Sequence, residues 1–127
     1  MELSGIVVAG DGRGRTIGFP TANLQVPQSE LSGLAKGVFA GIVRWQDEAE
    51  HLAVVNIGMR PTFAGDDHIR VELHILDFDA DLYGKTLVLQ LGQRLRDEQR
   101  FDSVEELTRQ ITKDVARARV EADGTSA

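Results

Sequence analysis

Apolar positions along this chain follow two regimes. Through the first two-thirds they come in short runs rich in Val, Ile and Leu, bounded by Gly, Asp, Pro or Asn, which is the composition and punctuation of β-strands. The runs are Gly5 to Ala9, Val38 to Arg44, Leu52 to Ile57, Val71 to Leu76 and Leu87 to Leu91. Val71-Glu72-Leu73-His74-Ile75 and Leu87-Val88-Leu89-Gln90-Leu91 alternate with period two. Such alternation turns one face inward and the other towards solvent or a cleft. Many short strands with little helix between them predict an antiparallel barrel or sandwich, not a βαβ fold.

Near the end of the chain the period changes. Ser103 is followed three residues later by Glu106, a capping-box pattern. Val104, Leu107, Ile111, Val115 and Ala118 then recur at three- and four-residue spacing, as on an amphipathic helix. That helix is expected to cover an open end or a face of the β structure. The tail from residue 121 to 127 has nothing to bury and is expected to be frayed.

Composition narrows the possibilities. A chain of 127 residues is read as one domain, 1–127, large enough to bury a core. There are no cysteines, which excludes disulfides, thiolate metal sites and cysteine nucleophiles. The net charge of −6 argues against a broad nucleic-acid-binding face. Any polyanionic ligand must therefore be held by a local arrangement. The first residues lack a signal-peptide pattern, and no apolar run approaches the roughly 20 residues of a membrane span. The expected location is the cytoplasm, as a monomer without nucleic-acid or membrane partners.

The densest chemical signal runs from Gly10 to Asn23. Gly10, Gly12, Gly14 and Gly18 let main-chain N–H groups turn inward as an anion-binding concavity. Arg13 and Arg15 add charge suited to phosphate oxygens. The spacing is neither that of a Walker A loop nor that of a Rossmann fingerprint. A hairpin loop with solvated arginines would have the same composition. Next, Pro20 biases Phe19 towards an extended conformation. Thr21 and Asn23 then project to one side, where two neutral oxygens could complete the shell of Mg²⁺. A turn in which both side chains bond nearby main chain is the alternative.

Taken together, Gly12-Arg13-Gly14-Arg15-Thr16-Ile17-Gly18-Phe19-Pro20-Thr21-Ala22-Asn23-Leu24 resembles the signature of riboflavin kinases, including the kinase half of bifunctional FAD synthetases. The resemblance continues through Gly37 to Gly41, Val55 to Gly58, Arg60 to Phe63, Val71 to Phe78 and Asp81 to Gly84. It ends with Leu95-Arg96-Asp97-Glu98, Phe101 and the C-terminal helix.

The resemblance implies a closed antiparallel Greek-key β-barrel of about six strands with a C-terminal α-helix. It implies an ATP- and Mg²⁺-dependent kinase that phosphorylates the terminal ribityl hydroxyl of riboflavin, giving FMN and ADP. ATP would lie against Gly10, Gly12, Arg13, Gly14, Arg15, Gly18 and Pro20, with Thr21 and Asn23 contacting the metal or the phosphates. Glu72 would be the catalytic base, and a salt bridge to Arg70 or Arg94 is its structural alternative. Arg96, in a loop closing over the flavin, would bind that substrate with Glu98 and Phe101. The stretch Asn56 to Phe63 would shape the floor of the site, or be no more than a turn at a strand's exit.

No adenylyltransferase segment is visible, so the chain is expected either to stand alone or to come from a longer parent, and not to make FAD. His51, His68 and His74 show no metal-ligand spacing. Asp77, Asp79 and Asp81 read as a solvated turn. Trp45, beside Gln46-Asp47-Glu48, reads as an exposed hairpin residue in preference to a flavin-stacking ring. A flavin-binding module without turnover and a β-barrel interaction domain are the competing functions. The former has no use for a phosphate loop, Thr21, Asn23 and Glu72 together, so the enzyme is preferred.

Overall fold

Strand patterning on this chain resolves into six antiparallel strands in a closed barrel. They are β1 (Glu2–Val8), β2 (Ala22–Gln25), β3 (Gly37–Arg44), β4 (His51–Pro61), β5 (Asp67–Ile75) and β6 (Thr86–Arg96). The computed structural model describes residues 1–8, 21–46, 50–61, 67–76, 82–99 and 101–126. Around the barrel the order is β1-β2-β5-β4-β3-β6. The hairpin-linked β3, β4 and β5, with β6 returning beside β3, make a Greek key.

Each of the five apolar runs falls on a strand, although Leu76 lies just past the end of β5 and Ala9 lies outside the described residues, and pairing extends most of them. β6 continues past Leu91 because Arg94 and Arg96 still pair with Phe39 and Val38. β4 continues past Ile57 because its ladder with β5 runs on to Pro61 opposite Asp67. β2 has no apolar run of its own and was not expected as a strand. It is one because β1 and β5 supply partners on both sides. At Gly5 strands β1 and β2 approach so closely that a β-carbon would collide with the main-chain oxygen of Gln25.

Alternation sorts side chains between two clusters. Leu3, Val7, Leu24, Val43, Val55, Ile57, Val71, Leu73, Leu87 and Leu89 fill the barrel interior. Truncating a fully buried leucine such as Leu73 or Leu89 to alanine costs about 2–5 kcal/mol. Val38, Ala40, Val54, Leu76 and Leu95 face outward into a second cluster with Ala118 of the C-terminal helix. β3 is apolar on both faces for this reason.

Two helices complete the fold: α1 (Gln28–Leu31) and α2 (Val104–Ser126). The Gln28 side chain acts as an extra rung on β5. Its Nε2 donates to Ile69 O at 2.9 Å, and its Oε1 accepts from Ile69 N at 3.0 Å. At the start of α2, Ser103 Oγ accepts from Glu106 N at 3.1 Å. The Glu106 carboxylate reaches back to Asp102 N, not to Ser103 N as a reciprocal box requires.

Two expectations, for Val104 and Trp45, need correcting. Val104 is 55% exposed, because the inward stripe of α2 begins one turn later, at the half-buried Leu107. The helix runs on to Ser126, past Val120, since adding a residue to an existing helix has no new nucleation cost. Trp45 is buried, not exposed: it belongs to the interior cluster and stacks on His51 at 5.1 Å. Among the described residues no helix is long and apolar enough to cross a membrane.

Candidate active site

Strand register assembles the site. Val8 pairs with Asn23, Asn23 with Glu72, Glu72 with Asn56, Asn56 with Val38, and Val38 with Arg96. Five strands beyond β1 thus contribute one continuous outward-facing row. Val71 and Leu73 anchor β5 inside the barrel at 1% and 0% exposure. Glu72 between them is held rigidly on the outside. The row's Val38 end lies under α2, and its Asn56–Glu72–Asn23 stretch is left open.

Two cavities flank that open stretch. One, of about 150 Å³, is lined by Asn56, Gly58, Met59, Arg70, Glu72 and Glu98. The other, of about 350 Å³, includes Val8, Asn23, Gln28, His68 and Arg70 in its wall. Asn23 is only 8% exposed, and its Oδ1 accepts a hydrogen bond from Arg70 Nη2 at 2.7 Å. The same nitrogen stands 3.8 Å from Glu72 Oε1. The anticipated alternative partner of Glu72 is therefore Arg70, since Arg94 instead bonds Lys36 O and Asp97.

Glu98 reaches into the smaller cavity over Gly58, where a β-carbon would collide with its carboxylate. Burial raises its pKa above the ordinary glutamate range, and the charge of Glu72 raises it further. Lys36 and Arg96 partly offset this. Two carboxylates therefore face one small space, which suits a site that holds hydroxyl groups and accepts a proton.

Arg96 was expected in a loop and is the last residue of β6. Its Nε and Nη2 donate to the two carboxylate oxygens of Asp114 at 2.9 and 2.8 Å. Gln110 Nε2 donates to Asp114 Oδ1 as well. The guanidinium lies 5.9 Å from the centre of the Phe101 ring, within cation–π range. Arg96, Phe101 and α2 thus form one assembly beside Glu98.

Thr21 is exposed, immediately before β2. Strand alternation puts it on the same side as Asn23. Gly10, Gly12, Arg13, Gly14, Arg15, Gly18 and Pro20 lie outside the described residues, as do Asp77, Asp79 and Asp81. The floor stretch contributes Asn56, Gly58 and Met59 to the smaller cavity. Sequence reading missed that Asp114 holds Arg96. Its one trace is a carboxylate on the helix face that also carries Ala118.

Comparison with known proteins agrees with the fold. The family model described as flavokinase, riboflavin kinase, matches residues 1–121. The chain is 39% identical over 114 residues to the RNA-binding riboflavin kinase RibR of Bacillus subtilis (strain 168), covering 90% of this chain and 48% of that protein. It is 47% identical over 117 residues to the bifunctional riboflavin kinase/FMN adenylyltransferase of Escherichia coli (strain K12), covering 92% of this chain and 36% of the relative. The chain thus spans less than half the length of these relatives.

Among solved structures, a macrolide-efflux protein from Streptococcus pneumoniae superposes with a TM-score of 0.82 at 38% identity, covering 93% of this chain and 38% of that one. Riboflavin kinase from Trypanosoma brucei superposes with a TM-score of 0.69 at 24% identity, covering 96% and 79%, a likeness of fold. With a family model spanning residues 1–121 over a barrel that lines up Asn23, Glu72 and Asn56, this chain belongs to the riboflavin kinase family.

Proposed function

We propose that this domain transfers the γ-phosphoryl group of ATP to the terminal ribityl hydroxyl of riboflavin, giving FMN and ADP. The carrying observation is that Asn23 and Glu72 are register partners on one face, each lining a different one of two adjacent cavities. A phosphoryl donor on the Asn23 side and an acceptor hydroxyl on the Glu72 side would meet at their boundary. Such transfer depends mainly on positioning and charge stabilisation, so one carboxylate near the acceptor oxygen suffices as base.

The larger cavity is bordered by Val8 and Asn23, which stand two residues before Gly10 and five after Gly18 in the sequence. That placement supports the nucleotide's phosphates lying there, with Gly10 to Gly18, Arg13, Arg15 and Pro20 around them. The smaller cavity, with Glu72 and Glu98, takes the ribityl chain, and Arg96 and Phe101 lie towards the flavin ring.

Mg²⁺ enters with the nucleotide. An amide oxygen carries two lone pairs, so the Asn23 oxygen can accept from Arg70 and still meet a metal. The Thr21 hydroxyl on the same side is a second neutral oxygen, and such a donor set suits a cation that keeps most of its water and phosphate ligands. When bound, the metal would neutralise charge on the phosphates. The whole chain is one working domain in this reading, acting in the cytoplasm as a monomer.

Incubation with riboflavin, ATP and Mg²⁺ followed by chromatography tests the proposal. FMN formed in proportion to enzyme and time is expected. Riboflavin binding without any FMN would replace the enzyme with a flavin-binding module.

A further inference from the structure

Arg70 has no task in the scheme above, yet it stands at the boundary of both cavities. It precedes Glu72 by two residues on β5, so both side chains leave the same face of the strand. Among the described residues that line the two cavities, it is the one arginine or lysine. Its side chain is 21% exposed and lies outside the barrel's apolar interior.

A free asparagine amide can present either its oxygen or its nitrogen. A guanidinium has donors only, so a partner at 2.7 Å is the oxygen end. Arg70 thereby fixes the orientation of the Asn23 amide. The same Nη2, 3.8 Å from Glu72 Oε1, holds a positive charge beside the carboxylate. A guanidinium fixes the direction of each N–H donor in its plane, whereas an ammonium on a flexible stem is a single point charge.

We propose that Arg70 is a positioning residue, which orients the metal–phosphate contact of Asn23 and the carboxylate of Glu72 with one guanidinium. This rests on the reading of Asn23 as a contact for metal-bound nucleotide. Its consequence is energetic coupling: Arg70 acts on nucleotide through Asn23, so the two losses do not multiply.

The test is a double-mutant cycle of wild type, Asn23→Ala, Arg70→Met and Asn23→Ala/Arg70→Met. Mg·ADP affinity is measured by calorimetry, with urea midpoints and FMN turnover on the same proteins. Removing an outer orienting partner typically costs about 10–100-fold. Arg70→Met is expected to weaken Mg·ADP binding by that much, and the double mutant to bind no more weakly than Asn23→Ala. Arg70→Lys, which keeps the charge and guards against a misfolded methionine variant, is expected to fall between wild type and Arg70→Met.

Losses that multiply in the double mutant, or wild-type affinity in Arg70→Met or Arg70→Lys, would overturn the proposal. A urea midpoint that falls in step with affinity would also overturn it, by showing a merely structural role. Failure of the kinase reading is seen separately, as wild-type protein that makes no FMN, and the Mg·ADP cycle still decides the role of Arg70.

Discussion

Arg96 and Asp114 join the last residue of β6 to the middle of α2 through two parallel hydrogen bonds of 2.9 and 2.8 Å. Asp114 is 4% exposed, so its charge is tolerated only because a guanidinium answers it. Arg117 reinforces the joint by donating to Leu95 O. Asp114→Ala would leave a half-buried guanidinium without its partner, at a cost of about 2–3 kcal/mol. Urea unfolding should show that loss, together with weaker riboflavin binding as Arg96 and Phe101 come free of α2. An unchanged midpoint would mean that packing of Ala118 and Val115 alone holds the helix.

Glu98 links the site to pH. Its pKa is raised in the folded protein, first by burial and then by the charge of Glu72. The folded state therefore binds this proton more tightly than the unfolded chain does. Stability from this group is fully present below the ordinary glutamate value and falls as pH rises through the raised one. Glu98→Gln should accordingly be more stable than wild type at neutral pH, with the difference vanishing on acidification towards about pH 4. Thermal unfolding across that range is the measurement, and a pH-independent difference would contradict it.

Gly58 is the companion position. An alanine there meets the end of the flexible Glu98 side chain, which can swing aside. Gly58→Ala should leave the barrel folded, with a small change in Tm, while raising the KM for riboflavin. Loss of the fold would show that the strand itself cannot accept a β-carbon.

Glu72→Gln keeps the shape and hydrogen-bonding reach of the side chain but cannot take a proton at neutral pH. A general base contributes about 10²–10⁴-fold, so kcat should fall by that order while both substrates bind with near-wild-type affinity. Retention of most of the kcat would place the base elsewhere. An unfolded mutant would instead mark the contact with Arg70 as structural.

Thr21→Ala removes one exposed hydroxyl outside the core, so the stability measured by urea unfolding should stay within about 0.5 kcal/mol of wild type. Nucleotide binding should weaken in Mg²⁺ and be unaffected in its absence. An equal loss in both conditions would mean that Thr21 contacts the nucleotide and not the metal.

What the sequence determined by itself was whatever local chemistry decides. Period-two alternation placed Val71, Leu73 and Ile75 inside and Glu72 and His74 outside, because successive side chains on a strand cannot share a face. Ser103 and the apolar spacing after it set the start and inward stripe of α2. Family motifs, which survive as linear strings, nominated Asn23, Glu72, Arg96 and Glu98.

Tertiary structure decided everything that depends on register and closure. β2 is a strand only because β1 and β5 flank it, and no propensity in Ala22 to Gln25 says so. Trp45 is buried because the barrel interior reaches it, although its chain neighbours are polar. The row from Asn23 through Glu72 to Asn56 joins residues up to 49 positions apart, and the guanidinium shared by Asn23 and Glu72 exists only once that row has formed. Pairing energies of this kind arise between segments distant along the chain. Their partners cannot be read from either segment alone.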